Sequence, residues 1–439
     1  MAPISPMAPT PANARSDERE ILFERYDDIR DALYHPDLSR TFDPRTFQEG
    51  NPRAGILSVL HGDEHKARRR LENPLFRRAA LVEYERELFP QIVHDICTRS
   101  AVDSVDLFHL AGQLAVVLAA RRAGLDHDGD SEQLAQLWSM AVAFSQAAAI
   151  LDVVVDKDKI QAEARAVLRE FDEAYVSPSR RRRAALLEAA GRGEDVEIPH
   201  DLVSVVLQRR GAGDDTVDDD QLVRETALYL HGGSQTSAQT TCNTFYFLLG
   251  LDGGAGSTWL ERAGSDALVA QRAVHETLRL RPATPQLKRR AVADVVIGGV
   301  EIPTGATAVL DIRTANRDPA LYGTDADAFN PERVPPADVP LWGLSFGAGS
   351  HICIGRSVAG GFPLQGEDAR DGAGEEHLFG LVAQMVQAIA ARGVRSDPDQ
   401  APVQDGRTSR GRWLHFPVLF PDAADGTPGG APSVSGARA

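Results

Sequence analysis

The sequence predicts a mainly helical protein with a small β lobe, on three observations. Between about residue 20 and residue 420 the apolar pattern is mostly helical. One run, from about Asp219 to Leu249, is long enough to cross a whole domain. The segments with strand character, VVIGGVEIP and ATAVLDIRT, fall close together late in the chain. Helices in one part and strands in another suggest one α-rich domain carrying a small β lobe, with no internal repeat.

In chain order, residues 1–19 are rich in Pro, Ala and Ser and read as a loose tail. Residues 421–439 read the same way. ILFERYDDIRDALYHP reads as a short strand and then a helix that starts near Asp27 and is stopped by Pro36. HKARRRLENPLF opens a basic helix. Val105 to Leu125 and Ser131 to Leu151 are two longer helical runs. Arg180 to Arg183 reads as a solvated helix face. The long run has Asp218, Asp219 and Asp220 at its start, which suits the helix dipole, and Gly250 as its stop. At ~1.5 Å per residue it is about 45 Å long. Gly298 and Gly299 mark a turn inside VVIGGVEIP.

The bulk numbers bound the function. At 439 residues and 43% hydrophobic content, the chain can bury a sizeable core. A formal net charge of -16 makes it a poor binder of nucleic acid or anionic membrane. Cys97, Cys242 and Cys353 form an odd, widely spaced set, which is no disulfide framework and suits a reducing, cytoplasmic setting. MAPISPMAPTPANARSDERE has no apolar core of the kind a leader needs. The apolar stretches Leu110–Ala120 and Ala141–Val155 are short or carry polar residues, so no membrane span is expected. Abundant Ala, Gly and Arg with little Lys suggests a high-GC bacterial gene.

The sharpest chemical signal runs from Phe346 to Gly355, FGAGSHICIG. An iron–thiolate bond needs a deprotonated sulfur, rigidly held and shielded, with backbone N–H groups tuning its electron donation. Gly347, Gly349 and Gly355 permit a tight loop with open N–H groups. Phe346 can cover the sulfur of Cys353, and His351 can reach a haem propionate. This stretch resembles the haem-binding signature of the cytochrome P-450 family, and the resemblance extends from about Ile21 to Phe420.

That resemblance carries further residues with it. Glu276-Thr277-Leu278-Arg279 is similar to the family's E-x-x-R helix, and with Arg333 of FNPER it implies a buried Glu–Arg–Arg network. Such a network fixes geometry more than it adds stability. His65 and Arg69 match the family's H-x-x-x-R. Arg289 matches the arginine before its β-turn. With His351 these imply the propionate partners of haem b (iron protoporphyrin IX), by charge-assisted pairing. The implied fold is the triangular, mainly helical P-450 fold.

The distal helix departs from the family pattern. There the long helix passes over the haem with a local kink, usually at a small residue, Gly, a variable residue, an acid and Thr. Here the run is His231-Gly232-Gly233-Ser234-Gln235-Thr236. Gly232, Gly233 and Thr236 match, and the resemblance places the Thr236 hydroxyl at the oxygen site. Gln235 stands where the acid is usual and cannot supply a titrating proton, which oxygen activation needs. His231 stands where the family is apolar and faces substrate. It reads equally as a core histidine bonded to a carbonyl or as a pocket group that binds substrate or relays a proton. After Cys353 the family continues in one helix, whereas Gly360-Gly361-Phe362-Pro363 breaks it here. QGEDARDGAG follows, and a new helix is expected at Glu375.

The resemblance therefore implies a haem-thiolate oxidoreductase of monooxygenase type, acting on a small organic molecule in bacterial natural-product metabolism. Electrons would come from NAD(P)H through a reductase and a ferredoxin-type partner, to a monomeric enzyme. Arg68, Arg70, Arg77 and Arg78 form a basic stretch suited to steering an acidic ferredoxin. Gln235 raises a second reading, a haem-thiolate enzyme that needs no O2 activation, such as a peroxygenase, dehydratase or nitrene-transfer catalyst. A non-catalytic haem sensor is the third. Substrate contacts are expected from residues 45–59, 144–155, 228–236, 283–287 and near Trp413.

Overall fold

The computed structural model describes residues 19–40, 51–93, 104–254, 256–364, 373–374 and 376–420. Apart from Arg19, both expected tails lie outside them, as do Cys97, residues 45–50, most of QGEDARDGAG and Glu375.

The chain opens with β1 (Glu20–Phe23), α1 (Tyr26–Tyr34) and β2 (Leu38–Ser39). Then come α2 (Gly62–Glu72), α3 (Arg78–Glu83), β3 (Ser104–Asp106), α4 (Leu107–Ala123) and α5 (Ser131–Ala148). The middle holds α6 (Lys157–Phe171), α7 (Ser177–Gly191), α8 (Leu202–Gly211), α9 (Asp219–Leu248), α10 (Gly256–Ser265) and α11 (Ala267–Leu280). After these follow β4 (Gln286–Ala291), β5 (Val295–Ile297), β6 (Val300–Ile302) and β7 (Thr307–Asp311). The chain then passes through α12 (Arg356–Gly360), α13 (Leu381–Ala391), β8 (Arg395–Ser396), β9 (Val403–Gln404), β10 (Trp413–His415) and β11 (Pro417–Leu419).

Local chemistry sets the key boundaries. Asp218 begins α9 with a reciprocal capping box to Gln221, and Asp219 and Asp220 occupy its first turn. The helix ends at Leu248, and Gly250 beyond it takes φ +67°. Asp106 caps α4 through the Phe108 N–H, and Gly124 closes it at φ +88°. Helix α4 is buried almost all round because α9, α5, α8, α13 and strands β3, β10 and β11 all pack on it. Small residues allow this approach: a Cβ on Gly112 would lie 2.5 Å from the Trp138 ring, and one on Gly233 would lie 3.2 Å from Ala119 Cβ. The result is one large helical core, with a second core beneath α1 and the β lobe.

The β lobe is a four-stranded sheet in the order β1-β7-β4-β2, with β1 and β7 parallel and the other pairs antiparallel. The β5–β6 hairpin turns at Gly298 and Gly299, both at positive φ. Strand β11 lies between β3 and β8, and β9 pairs with β10.

Three expectations need correction. Arg183 is no solvated residue: it is 5% exposed and ion-paired to Asp201 at 3.0 Å and to Asp126. Arg68 is 6% exposed and paired with buried Glu225 at 2.6 Å, so it cannot belong to a surface patch; Arg70, Arg77 and Arg78 are exposed. The helix after the break starts at Leu381, later than Glu375. Gly380 sits at φ +88°, outside helical geometry. The Phe379 and Gly380 N–H groups are drawn off to the Glu85 carboxylate at 2.6 and 3.0 Å.

The break at Gly360-Gly361 has a definite geometry. Helix α12 is only five residues long, and Gly361 turns at φ +68°. The chain leaves after Phe362 and returns beside it, where the Phe362 N–H donates to Leu378 O at 2.9 Å. Gly361 and Gly380 then cross backbone to backbone. A Cβ on Gly380 would lie 2.3 Å from Gly361 N, and one on Gly361 would lie 2.4 Å from Leu378 O. The Gln271 amide clamps the crossing by donating to Gly360 O at 3.1 Å and Phe379 O at 3.0 Å. His377 bonds the Gln271 amide oxygen at 2.9 Å.

Candidate active site around Cys353

Cys353 opens onto a cavity of about 380 Å³ between the long helix α9, helix α2, the β lobe and the loop that carries the cysteine. The loop is built from its glycines and aromatics. Gly347 and Gly349 have positive φ, and Gly349 passes so close to α1 that a Cβ would lie 2.6 Å from Leu33 O. The Cys353 N–H donates to Phe346 O at 2.8 Å. Phe346 packs edge-on against Trp342 at 5.2 Å, and Trp342 packs edge-on against His275 at 5.1 Å. His275 in turn bonds Gly360 O at 2.7 Å, which ties the loop to α11.

The sulfur reaches the cavity lumen but is crowded by protein atoms. That burial pushes its thiol pKa up, against the Gly355 N–H and the charges of Arg69, Arg356 and Arg40, which pull it down. Those opposing groups are what a thiolate ligand needs once a cation neutralises it.

One edge of the cavity is a cluster of arginines and histidines. His65, Arg69, Arg289 and His351 all line it, as does Arg40, which sequence reasoning missed. Arg40 follows β2, whose Ser39 pairs with Arg290 beside Arg289 on β4. No motif marks it in the sequence; only the strand pairing brings it here. The His65 and His351 rings lie 4.0 Å apart. Burial, then Arg40 and other cations, holds His351 down to about 2. Burial, then Arg69 and Arg40, holds His65 down to about 4. Arg289 is lowered well below its usual range by burial and by Arg40. Among the described residues, none of Arg40, Arg69 and Arg289 has an ion pair with a carboxylate. Their bonds go to carbonyls: Arg69 to Ile352 O at 3.1 Å, and Arg289 to Lys288 O at 2.9 Å.

This donor set fits haem. A cysteine loop faces the lumen, and the crowded arginines at one edge have no carboxylate partner among the described residues, a place two propionates would fill.

The wall opposite Cys353 is α9. It is α-helical from Asp219 to Leu248, including the Gly232-Gly233-Thr236 stretch where the resemblance implies a local kink. A ladder of hydroxyls bonding back to carbonyls one turn earlier accompanies it. Thr236 donates to Gly232 O at 2.8 Å, Ser237 to Gly233 O at 2.6 Å and Thr240 to Thr236 O at 2.8 Å. Gly232, Gly233, Thr236 and Thr240 line the cavity. His231 and Gln235 share a helix face but are not among its lining residues. That face lies toward α5 and β10, where Gln239, one turn on, accepts from Trp413 N at 2.9 Å. His231 bonds no carbonyl among the described residues.

Away from the cavity, the structure joins Glu276, Arg279 and Arg333. Arg279, fully buried, makes two parallel bonds of 2.7 Å to the Glu276 carboxylate and caps Asn316 O and Ala326 O. Arg333 reaches Glu276 at 3.0 Å and Asp325 at 2.9 Å. The network pins α11 beneath the loops that lead to Cys353, with every charge paired.

Residues 266–360 match the family model described as "Cytochrome P450". The first two curated relatives are plant cytochromes P450, 41% and 40% identical over 87 residues, and the match spans only 16% of their own length. The steroid C26-monooxygenase of Mycolicibacterium smegmatis is 27% identical over 343 residues, 76% of this chain and 75% of that protein. Among solved structures, CalO2 superposes with a TM-score of 0.68 at 22% identity, covering 93% of this chain and 91% of its own. The P450 enzyme CxnD "for C-S bond formation in chuangxinmycin biosynthesis" gives 0.66 at 19% identity, covering 90% and 87%. A helical fold of this architecture, with a cysteine loop facing a long helix, defines the haem-thiolate class. Over residues 266–360 the chain is similar to the cytochromes P450, and the described chain has their fold.

Proposed function

We propose that this chain is a haem-thiolate monooxygenase of a small organic molecule, with Cys353 as the axial ligand of haem b. The carrying observation is the cavity that sets one thiol against an edge of arginines that have no carboxylate partner among the described residues. Arg69, Arg289, His65, His351 and Arg40 take the propionates. Haem, when bound, supplies an iron that activates oxygen for transfer to substrate. The chain's own part is to aim the Gly355 N–H at the sulfur, to wall the cavity with α9 and to present the Thr236 hydroxyl there. Electrons come from NAD(P)H through a reductase and a ferredoxin-type partner, steered by exposed Arg70, Arg77 and Arg78. CxnD, by its description a biosynthetic enzyme, supports a role in bacterial natural-product assembly. No described helix is long and apolar enough to cross a membrane, in keeping with a cytoplasmic enzyme.

The test is spectroscopic. Reduced protein under CO shows the strongly red-shifted Soret band of thiolate ligation; Cys353→Ser loses it, while Cys242→Ser and Cys97→Ser keep it. A thiolate band surviving in Cys353→Ser overturns the reading.

One observation favours a second reading. Gln235 cannot titrate, and the acid among the described lining residues, Glu85, is bonded to the Phe379 and Gly380 N–H groups rather than to Thr236. An enzyme whose substrate brings its own labile N–O or O–O bond needs no such acid. Turnover by the isolated enzyme without O2 and reductase establishes that chemistry in place of oxygen activation.

A further inference from the structure

The shoulder of α9 next to the cavity is strongly basic. Beyond β9 the chain bends over the end of α5, held by Val154 N to Arg407 O and Ser409 N to Asp152 O, both 2.9 Å. This places Arg410 and Arg412 over the same face of α9 as His231. Arg410 is committed to Asp152 at 2.7 Å, and Asp405 is committed to Arg407 at 2.8 Å. Arg412 has only neutral partners among the described residues, the hydroxyl and carbonyl of Ser145 on α5, at 2.9 and 3.5 Å. Among the described residues it is a half-buried guanidinium with no hydrogen-bonded carboxylate; Asp152 and Asp405 act on its charge but are bonded to Arg410 and Arg407, so three arginines face two carboxylates. Beside it, neither ring nitrogen of His231 has a hydrogen-bond partner among the described residues. Burial and the charges of Arg412, Arg53 and Arg410 keep that ring neutral, able to donate one N–H. Arg410 also repels the charge of Arg40 in the cavity wall.

We infer that this shoulder is an anchoring site for a carboxylate, with Arg412 and His231 as its donors, and that the substrate is therefore a small organic acid. The inference rests on the monooxygenase reading and names its substrate class. The fork of Arg412 suits the two coplanar oxygens of a carboxylate. His231 immediately precedes Gly232, which lines the cavity with Thr236, so an acid anchored there would pass Gly232 to reach Thr236 and the cysteine. An amide or alcohol of the same shape leaves Arg412 uncompensated, which is the origin of selectivity.

The test uses haem-loaded protein that shows the thiolate band. Binding is measured calorimetrically for matched probes: 3-phenylpropionate against 3-phenylpropanamide, octanoate against octanamide, and hippurate against its amide. In at least one pair the acid binds about tenfold or more tightly than the amide. Arg412→Met abolishes that preference, His231→Gln reduces it, and Arg181→Met, an exposed change on α7, leaves it intact. Absence of preference in all three pairs, or a preference that survives Arg412→Met, overturns the inference. The wild-type comparison decides the matter even if Arg412→Met does not fold. Loss of the thiolate band refutes the haem reading itself; an intact band without acid preference refutes only the substrate class.

Discussion

Replacing Gly380 by alanine tests the backbone crossing that closes the chain beneath the cysteine loop. At φ +88° and ψ 154°, any L side chain is strained, by roughly 1–3 kcal/mol. The new Cβ also lies 2.3 Å from Gly361 N, 2.7 Å from Gly360 C and 2.8 Å from Ala359 O, all backbone atoms that cannot rotate away. Relief requires the two segments to part, and that loosens the Gln271 clamp and the Glu85 bonds to Phe379 and Gly380 N–H. A hydrogen bond contributes about 1 kcal/mol, and more where a carboxylate is the acceptor. The expected total is about 3–5 kcal/mol, measured by guanidinium unfolding of matched proteins. Gly374→Ala is the control, since nothing lies within 4 Å of its added Cβ. If Gly380→Ala unfolds within about 0.5 kcal/mol of that control, the crossing bears no strain and the reasoning fails.

Two further changes separate surface from interior. Arg68→Met leaves Glu225 buried without its cation and lowers stability by about 3 kcal/mol or more, whereas Arg77→Glu on the exposed stretch leaves stability nearly unchanged and weakens reduction by an acidic ferredoxin at low salt; an Arg68 variant as stable as wild type contradicts the pairing. His275 is held down to about 4 by burial, so the folded state binds fewer protons than the unfolded chain between that value and 6.5. Its contribution is complete above 6.5 and is lost as the pH falls toward 4, by up to about 2 kcal/mol at pH 5. His275→Gln should flatten that part of the stability–pH curve, and an unchanged curve would count against a neutral buried histidine.

The legible parts of the fold were those written in local chemistry. The acidic start and glycine stop of α9, the Gly298-Gly299 turn and the spacing of Glu276 and Arg279 each depend on neighbours a few residues away. The cysteine loop was legible for the same reason, with Phe346 and His351 close in sequence to Cys353. What stayed hidden depends on distant partners. Arg68 is buried because Glu225 waits for it on another helix, 157 residues on. Arg183 is interior because Asp126 and Asp201 flank it. Arg40 joins the cluster of arginines and histidines only through the register of β2 with β4. The double glycine was visible as a helix breaker, but its partner Gly380 was not, because a close backbone approach leaves no periodic trace. The face that His231 and Gln235 present depended on where the residues before Trp413 come to rest, which no helical wheel reports.

The crossing at Gly361 and Gly380 also makes a graft point. The two ends are held to each other by Gln271 and by the bond from Phe362 to Leu378, so the intervening chain transmits nothing to the cysteine loop by its own length. Closing a longer loop between fixed ends is inexpensive, about 0.6 kcal/mol for each doubling. The thiol's position is therefore set by the two clamped ends, Gly360–Phe362 and His377–Gly380, and chain added between them leaves the chemistry beneath undisturbed so long as those ends are kept.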